Sequence, residues 1–155
     1  MRYSAGVLVY RRRPGLEVLL GHMGGPLWAR KDEGAWSVPK GEYEPGAEEP
    51  RVAAAREFTE ELGLPVPAGE WVDLGEVRYS GGRKQVVVWA VEGDLDPDDV
   101  VPGTFELEWP PRSGRTQTFP EIDRAAWFAP DLARTKLSAG QRPLIDRLIE
   151  RLGVG

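Results

Sequence analysis

Short apolar runs separated by glycine-rich or charged breaks run along the chain, and their period changes from one stretch to the next. Residues 3–10 favour a strand and residues 16–21 its partner, with Arg11-Arg12-Arg13-Pro14-Gly15 as the turn between them. Residues 24–46 are rich in Gly and Trp and have no period. Residues 50–62 predict one clear helix: Pro50 suits the first helical position, Gly63 a left-handed stop, and Pro65 forbids continuation. On a wheel, Val52, Ala55, Phe58, Thr59 and Leu62 fall on one side, the expected core face, and Glu57, Glu60 and Glu61 on the other. Residues 71–79 and 84–91 read as two strands joined by Ser80-Gly81-Gly82-Arg83. A long loop over 92–120 is broken by a short strand at 104–109, and residues 126–128 read as a last strand. Residues 143–152 carry Leu144, Ile145, Leu148, Ile149 and Leu152 on one helical stripe. Strands around one central helix, with a helix closing the chain, predict an α/β domain over residues 1–155.

Composition narrows the chemistry. A hydrophobic fraction of 41% with 29% charged residues is globular and excludes a disordered tail protein. Twenty basic against 25 acidic side chains, a net charge of -5, argue against a surface that coats nucleic acid. No apolar run approaches the ~20 residues of a membrane span. The apolar residues 5–10 precede the arginines, the reverse of a signal peptide, so a cytoplasmic protein is expected. With no cysteine there is no disulfide, thiolate zinc site or cysteine nucleophile, and a single histidine, His22, excludes multi-histidine metal sites. The chemistry must run mostly on carboxylates.

Glu57, Glu60 and Glu61 are i,i+3 and i,i+4 neighbours, and like charges at those spacings cost ~0.2–0.5 kcal/mol per pair. A solvated acidic face is the plain reading of such a helix. A glycine-rich approach, and Arg56 placed to orient a neighbouring carboxylate, point instead to a cation. Hard oxygen ligands select Mg²⁺, with Mn²⁺ as substitute.

The segment Gly41 to Leu64 resembles the Nudix box. Glu48, seven residues, then Arg56-Glu57-Phe58-Thr59-Glu60-Glu61-Leu62-Gly63-Leu64 match its second half completely. Six residues instead of five separate Gly41 from Glu48, and the extra one is expected in the loop near Ala47. The resemblance implies an α/β/α sandwich with a mixed sheet and a catalytic loop-helix-loop. It also implies Mg²⁺-dependent hydrolysis of a phosphoanhydride in a nucleoside diphosphate linked to another group. In that reading Glu57, Glu60, Glu61 and the Lys40 carbonyl ligate metal, Glu48 assists, and Arg56 holds Glu57. The base is a box glutamate or one of Glu106, Glu108 and Glu121.

Trp36-Ser-Val-Pro39-Lys40-Gly41 is similar to the entry of the diadenosine polyphosphate and diphosphoinositol polyphosphate hydrolases. That likeness implies a dinucleoside polyphosphate such as diadenosine tetraphosphate, with Lys40 and Lys84 on phosphate and Tyr79 on a base. Inositol pyrophosphates, nucleoside triphosphates, and a silent nucleotide-binding domain are the alternatives. The expected partner is a small molecule, with no nucleic acid and no membrane, in a monomer or homodimer. Asp94-Leu-Asp96-Pro-Asp98-Asp99 reads as a solvated turn, Arg112-Ser-Gly-Arg115 as a loop, and His22 as structural.

Overall fold

The computed structural model describes residues 1–153. Its centre is β1 (Arg2–Arg12), whose alternating side chains serve two cores. On its outward edge β1 changes partner. Tyr10 to Arg12 pair antiparallel with β2 (Leu16–Met23), whereas Ser4 to Gly6 pair antiparallel with β4 (Lys40–Glu42). The sheet therefore splits between β2 and β4, and the split is where the candidate site lies. Two-residue β3 (Trp36–Ser37) lies beside β2, and the other edge of β1 carries β6 (Lys84–Glu92) in parallel and then β5 (Val72–Tyr79) antiparallel. The last strand of the sheet, β9 (Ile122–Phe128), pairs with β2 and is longer than the three residues expected from sequence.

One face of the sheet, through Ala5, Val7, Val9, Leu19 and Val91, packs on α1 (Pro50–Leu62). The other, through Leu8, Leu20, Val86, Val88 and Ala90, packs on α3 (Pro143–Leu152), where Leu144, Ile145 and Leu148 are fully buried. This is the α/β/α sandwich with a mixed sheet. A short helix, α2 (Pro130–Lys136), precedes α3, and the sequence pattern had not marked it. Among the described residues no helix is long and apolar enough to cross a membrane.

Two expectations need correction. Helix α1 ends as its punctuation predicts, with Gly63 left-handed at φ +69°, but its core face is different. Ala53, Ala54, Phe58 and Leu62 are buried, while Val52 is 60% exposed and Thr59 is exposed. The helix is rotated so that small alanines meet the sheet and Glu57 and Glu61 point toward β4. The loop over 92–120 is also more ordered than expected. The strand foreseen at 104–109 is β7 (Thr104–Glu108), and it pairs antiparallel with β8 (Thr116–Pro120) in a separate hairpin. The Asp94–Asp99 segment contains a 3₁₀ turn, Pro97–Asp99, capped by the Asp96 side chain on the Asp98 amide.

Candidate active site

At the split in the sheet, Lys40 and Gly41 of β4 face the C-terminal half of α1 across a cavity of about 460 Å³. Glu57, Glu60 and Glu61 line it together with Glu121, the residue between β8 and β9. Of the three downstream glutamates considered as a base, only Glu121 reaches this cavity; Glu106 and Glu108 are exposed on the hairpin.

The approach of β4 to α1 depends on glycine. A Cβ on Gly41 would fall 1.8 Å from Glu57 Oε2, so the carboxylate occupies the space of the missing side chain. The Lys40 amide donates to Glu61 Oε2 at 2.5 Å. In the turn before α1 the amides of Ala47 and Glu48 both donate to the Glu44 carbonyl.

Arg56 organises the remaining carboxylates. Its Nε and Nη2 donate to the two oxygens of Glu48 at 2.9 Å each, and Nη1 donates to Glu57 Oε1 at 2.7 Å. The same Nη1 lies 3.2 Å from Glu60 Oε2. Sequence reasoning had assigned it Glu57 alone; the guanidinium fork spans Glu48, Glu57 and Glu60. Hydrogen bonds from Arg56 hold the Glu48 carboxyl below the usual range. Glu57 is shifted the other way, because its burial outweighs the arginine. Burial pushes Glu61 up to about 8, with the Glu121 and Glu57 charges adding to the rise. Glu121 is raised by burial and by Glu57 and Glu60. The cavity thus concentrates desolvated carboxylates with too little positive charge.

A hard divalent cation fits this donor set. Every side-chain donor is a carboxylate oxygen, and the glutamates repel one another. Glu57 Oε1 is taken by Arg56 and Glu61 Oε2 by the Lys40 amide, so each of these residues has one oxygen outside those bonds. Among the described residues no three acidic or imidazole side chains stand in ready chelating geometry.

Other predicted residues lie apart. Glu48 and Arg56 line a neighbouring cavity with Arg2, Tyr3 and Tyr43. Tyr79 and Lys84, at facing ends of β5 and β6, stand outside the carboxylate cavity, with Lys84 Nζ 5.4 Å from the Tyr79 ring centroid. Lys84 is nonetheless coupled to the site. Burial lowers its pKa, and the Lys40 and Arg2 charges lower it further. His22 is fully buried: Nε2 donates to the Lys31 carbonyl at 2.7 Å, and Nδ1 meets Asp123 Oδ1 at 2.9 Å. Sequence reasoning missed Gln141, which is buried and accepts from the Val38 amide at 2.9 Å while its Nε2 donates to Ser37 Oγ. It fixes the strand that leads into Lys40. No local pattern marks a glutamine 103 positions downstream of Val38 as its partner.

A family model described as NUDIX domain matches residues 1–148. The chain belongs to the NUDIX family. Among curated proteins, this NUDIX chain is 33% identical over 122 residues to an 8-oxo-(d)GTP phosphatase of Mycolicibacterium smegmatis, covering 75% of the chain and 30% of that protein. The chain therefore spans about a third of the length of that relative. Among solved structures, a C. elegans Ap4A hydrolase in a binary complex superposes with a TM-score of 0.69 at 22% identity, over 99% of this chain and 98% of that one. A Nudix hydrolase from M. smegmatis, RenU, superposes with a TM-score of 0.58 at 25% identity, over 97% and 84%. These likenesses show the NUDIX fold, with the box residues of the chain on its loop and helix.

Proposed function

We propose that this NUDIX domain is a divalent-metal-dependent hydrolase of a phosphoanhydride bond in a nucleotide-linked substrate, with Mg²⁺ as the ion and a dinucleoside polyphosphate as the substrate class. The observation that carries the reading is the convergence of Glu57, Glu60, Glu61 and Glu121 with Lys40 on one cavity. Glu57, Glu60, Glu61 and the Lys40 carbonyl would hold the metal, which when bound supplies Lewis-acid polarisation of a phosphoryl oxygen and a more acidic water. Arg56 fixes the reach of Glu57 and Glu60, so that these carboxylates need little reorganisation as charge develops. Glu121, with its raised pKa and its place in the same cavity outside the helix, takes the proton of the attacking water.

The preference for a long phosphate chain rests on the lysines. Among the described residues Lys40 and Lys84 have no ion-pair partner within salt-bridge distance, and the Lys40 charge adds to the lowering of the Lys84 pKa. An extended polyphosphate passing from the carboxylates over Lys40 toward Lys84 would offset both charges. Tyr79 beside Lys84 would then meet a base. The name of the curated relative favours a second reading, a nucleoside triphosphate.

Product analysis with Mg²⁺ decides between them. The panel is diadenosine tetraphosphate, 8-oxo-dGTP, ADP-ribose and an inositol pyrophosphate, with Glu60→Gln as the control. Asymmetric cleavage of the dinucleotide by the unaltered protein alone is expected. Preferred turnover of 8-oxo-dGTP would transfer the assignment to the second reading, and equal turnover by Glu60→Gln would remove the metal assignment.

A further inference from the structure

The carboxylate cavity has a second wall of different chemistry. Beside the glutamates it is lined by Met23, Trp28, Phe105 and Ile122. Phe105 is the residue that needs explaining. It is half-buried, yet it belongs to neither hydrophobic core. It sits near the base of the β7–β8 hairpin, directly across from Phe119, with ring centroids 6.1 Å apart. A Cβ on Gly25, which has φ +92°, would stand 3.1 Å from Phe105 Cζ, so the tip of the ring packs against bare backbone. That glycine accepts from the Trp28 amide at 3.3 Å, which ties the loop carrying the indole to the same spot. The Gly24 amide donates to the Glu121 carbonyl at 3.0 Å, and the Glu121 amide to the Gly103 carbonyl at 2.8 Å. Loop, hairpin root and Glu121 are thereby locked into one wall.

A phosphate chain has no use for such a wall; a heteroaromatic ring does. We propose that Phe105 and Trp28 form a nucleobase subsite, in which the base of the nucleotide being hydrolysed stacks on Phe105 with Trp28 closing the side. The β7–β8 hairpin is then a specificity element. Lys31 Nζ stands 5.2 Å from the Trp28 ring centroid and covers one face of the indole, which is why the stacking role falls to Phe105. A cavity of about 460 Å³ is within the range of small-molecule sites. The inference rests on the nucleotide reading of the cavity given above, and it adds a base site distinct from Tyr79.

Equilibrium dialysis separates the two ideas. The probes are the α,β-methylene analogues of ATP and GTP, and inorganic tripolyphosphate, each with Mg²⁺ in excess. Phe105→Ala and the packing-conservative Phe105→Leu are expected to weaken both nucleotide analogues about tenfold or more, the scale of one base–aromatic stack. Tripolyphosphate affinity should stay within about twofold of the unaltered protein. Trp28→Phe should remove part of the fluorescence change that the analogues cause. Unchanged nucleotide affinity in both Phe105 variants overturns the subsite. So does a parallel loss of tripolyphosphate, because Phe105 would then only prop the cavity. Binding of tripolyphosphate but of neither analogue by the unaltered protein overturns the subsite and leaves phosphate chemistry standing. Binding of none of the three removes the nucleotide reading, and the subsite with it.

Discussion

Arg56 touches Glu48, Glu57 and Glu60 at once, and it is only 39% exposed. Its removal leaves three carboxylates repelling one another without the cation that bridges them. Arg56→Gln is expected to lower stability by about 1–2 kcal/mol, below the range for a fully buried pair because solvent screens the guanidinium. Urea denaturation in EDTA measures this. Turnover should fall more steeply than stability, by about tenfold or more, since Glu57 and Glu60 lose their fixed positions. Arg56→Lys should recover the charge but little of the turnover, because an ammonium has no fork with which to span Glu48 and Glu57. Full recovery by lysine would show that charge alone matters at this position. That Arg56 orients a carboxylate was legible in the sequence, because it adjoins Glu57 and stands one helical turn from Glu60. Its bidentate grip on Glu48 was not, since that contact depends on how the 44–47 turn folds back.

Helix α1 shows what punctuation reveals and what a wheel misses. Its ends were legible because Pro50, Gly63 and Pro65 act locally. Its facing was not, because hydrophobicity alone turns Val52 inward, whereas the fold turns inward the alanines and the edge that carries Glu57 and Glu61. Phe58 and Leu62, fully buried, supply about 1.5–3 kcal/mol each. Phe58→Ala is therefore expected to cost about 3–5 kcal/mol, while Val52→Lys should stay within about 0.5 kcal/mol of the unaltered protein. Comparable losses for the two, read as urea midpoints, would restore the wheel's orientation. The hairpin escaped the sequence reading for a related reason. Strand β8 is polar up to Phe119 and pairs with β7 in a two-stranded sheet apart from the main one, so no alternation marks it. Glu121 could then be only one of three acidic loop residues until the β7–β8 pairing brought it to the cavity.

The loop over 24–35 is held by a different device. The Trp36 indole donates to Asp32 Oδ1 at 2.9 Å, and Lys136 of α2 pairs with Asp32 Oδ2. These bonds lower the Asp32 pKa below its ordinary 3.8. A depressed folded pKa means the contribution is present above about 3.8 and is lost as pH falls through the lower folded value. Asp32→Asn should therefore melt below the unaltered protein at neutral pH, with the difference shrinking in acid below that value. A difference that persists unchanged to low pH would mean that the charge of Asp32 contributes nothing.

At the scale of the whole molecule, folding brings a loop, a helix and the root of a hairpin together around carboxylates that repel one another. The arrangement is held against that repulsion by packing on both faces of the sheet. Glu61 is the extreme case, with its carboxyl pushed up to about 8 chiefly by burial. A neutral amide of the same shape relieves the penalty of a desolvated charge, yet it is a poorer ligand for a hard cation. Glu61→Gln is therefore expected to melt above the unaltered protein in EDTA. With Mg²⁺ at about a hundred times its dissociation constant, binding to the folded state stabilises the unaltered protein by about 2.7 kcal/mol, and the order should reverse. The crossing of the two melting temperatures is the decisive feature. A variant less stable under both conditions would mean that the Glu61 bond to the Lys40 amide outweighs burial and that the residue is structural. A variant more stable under both would mean that no cation is held there, and the carboxylate cavity would need another occupant.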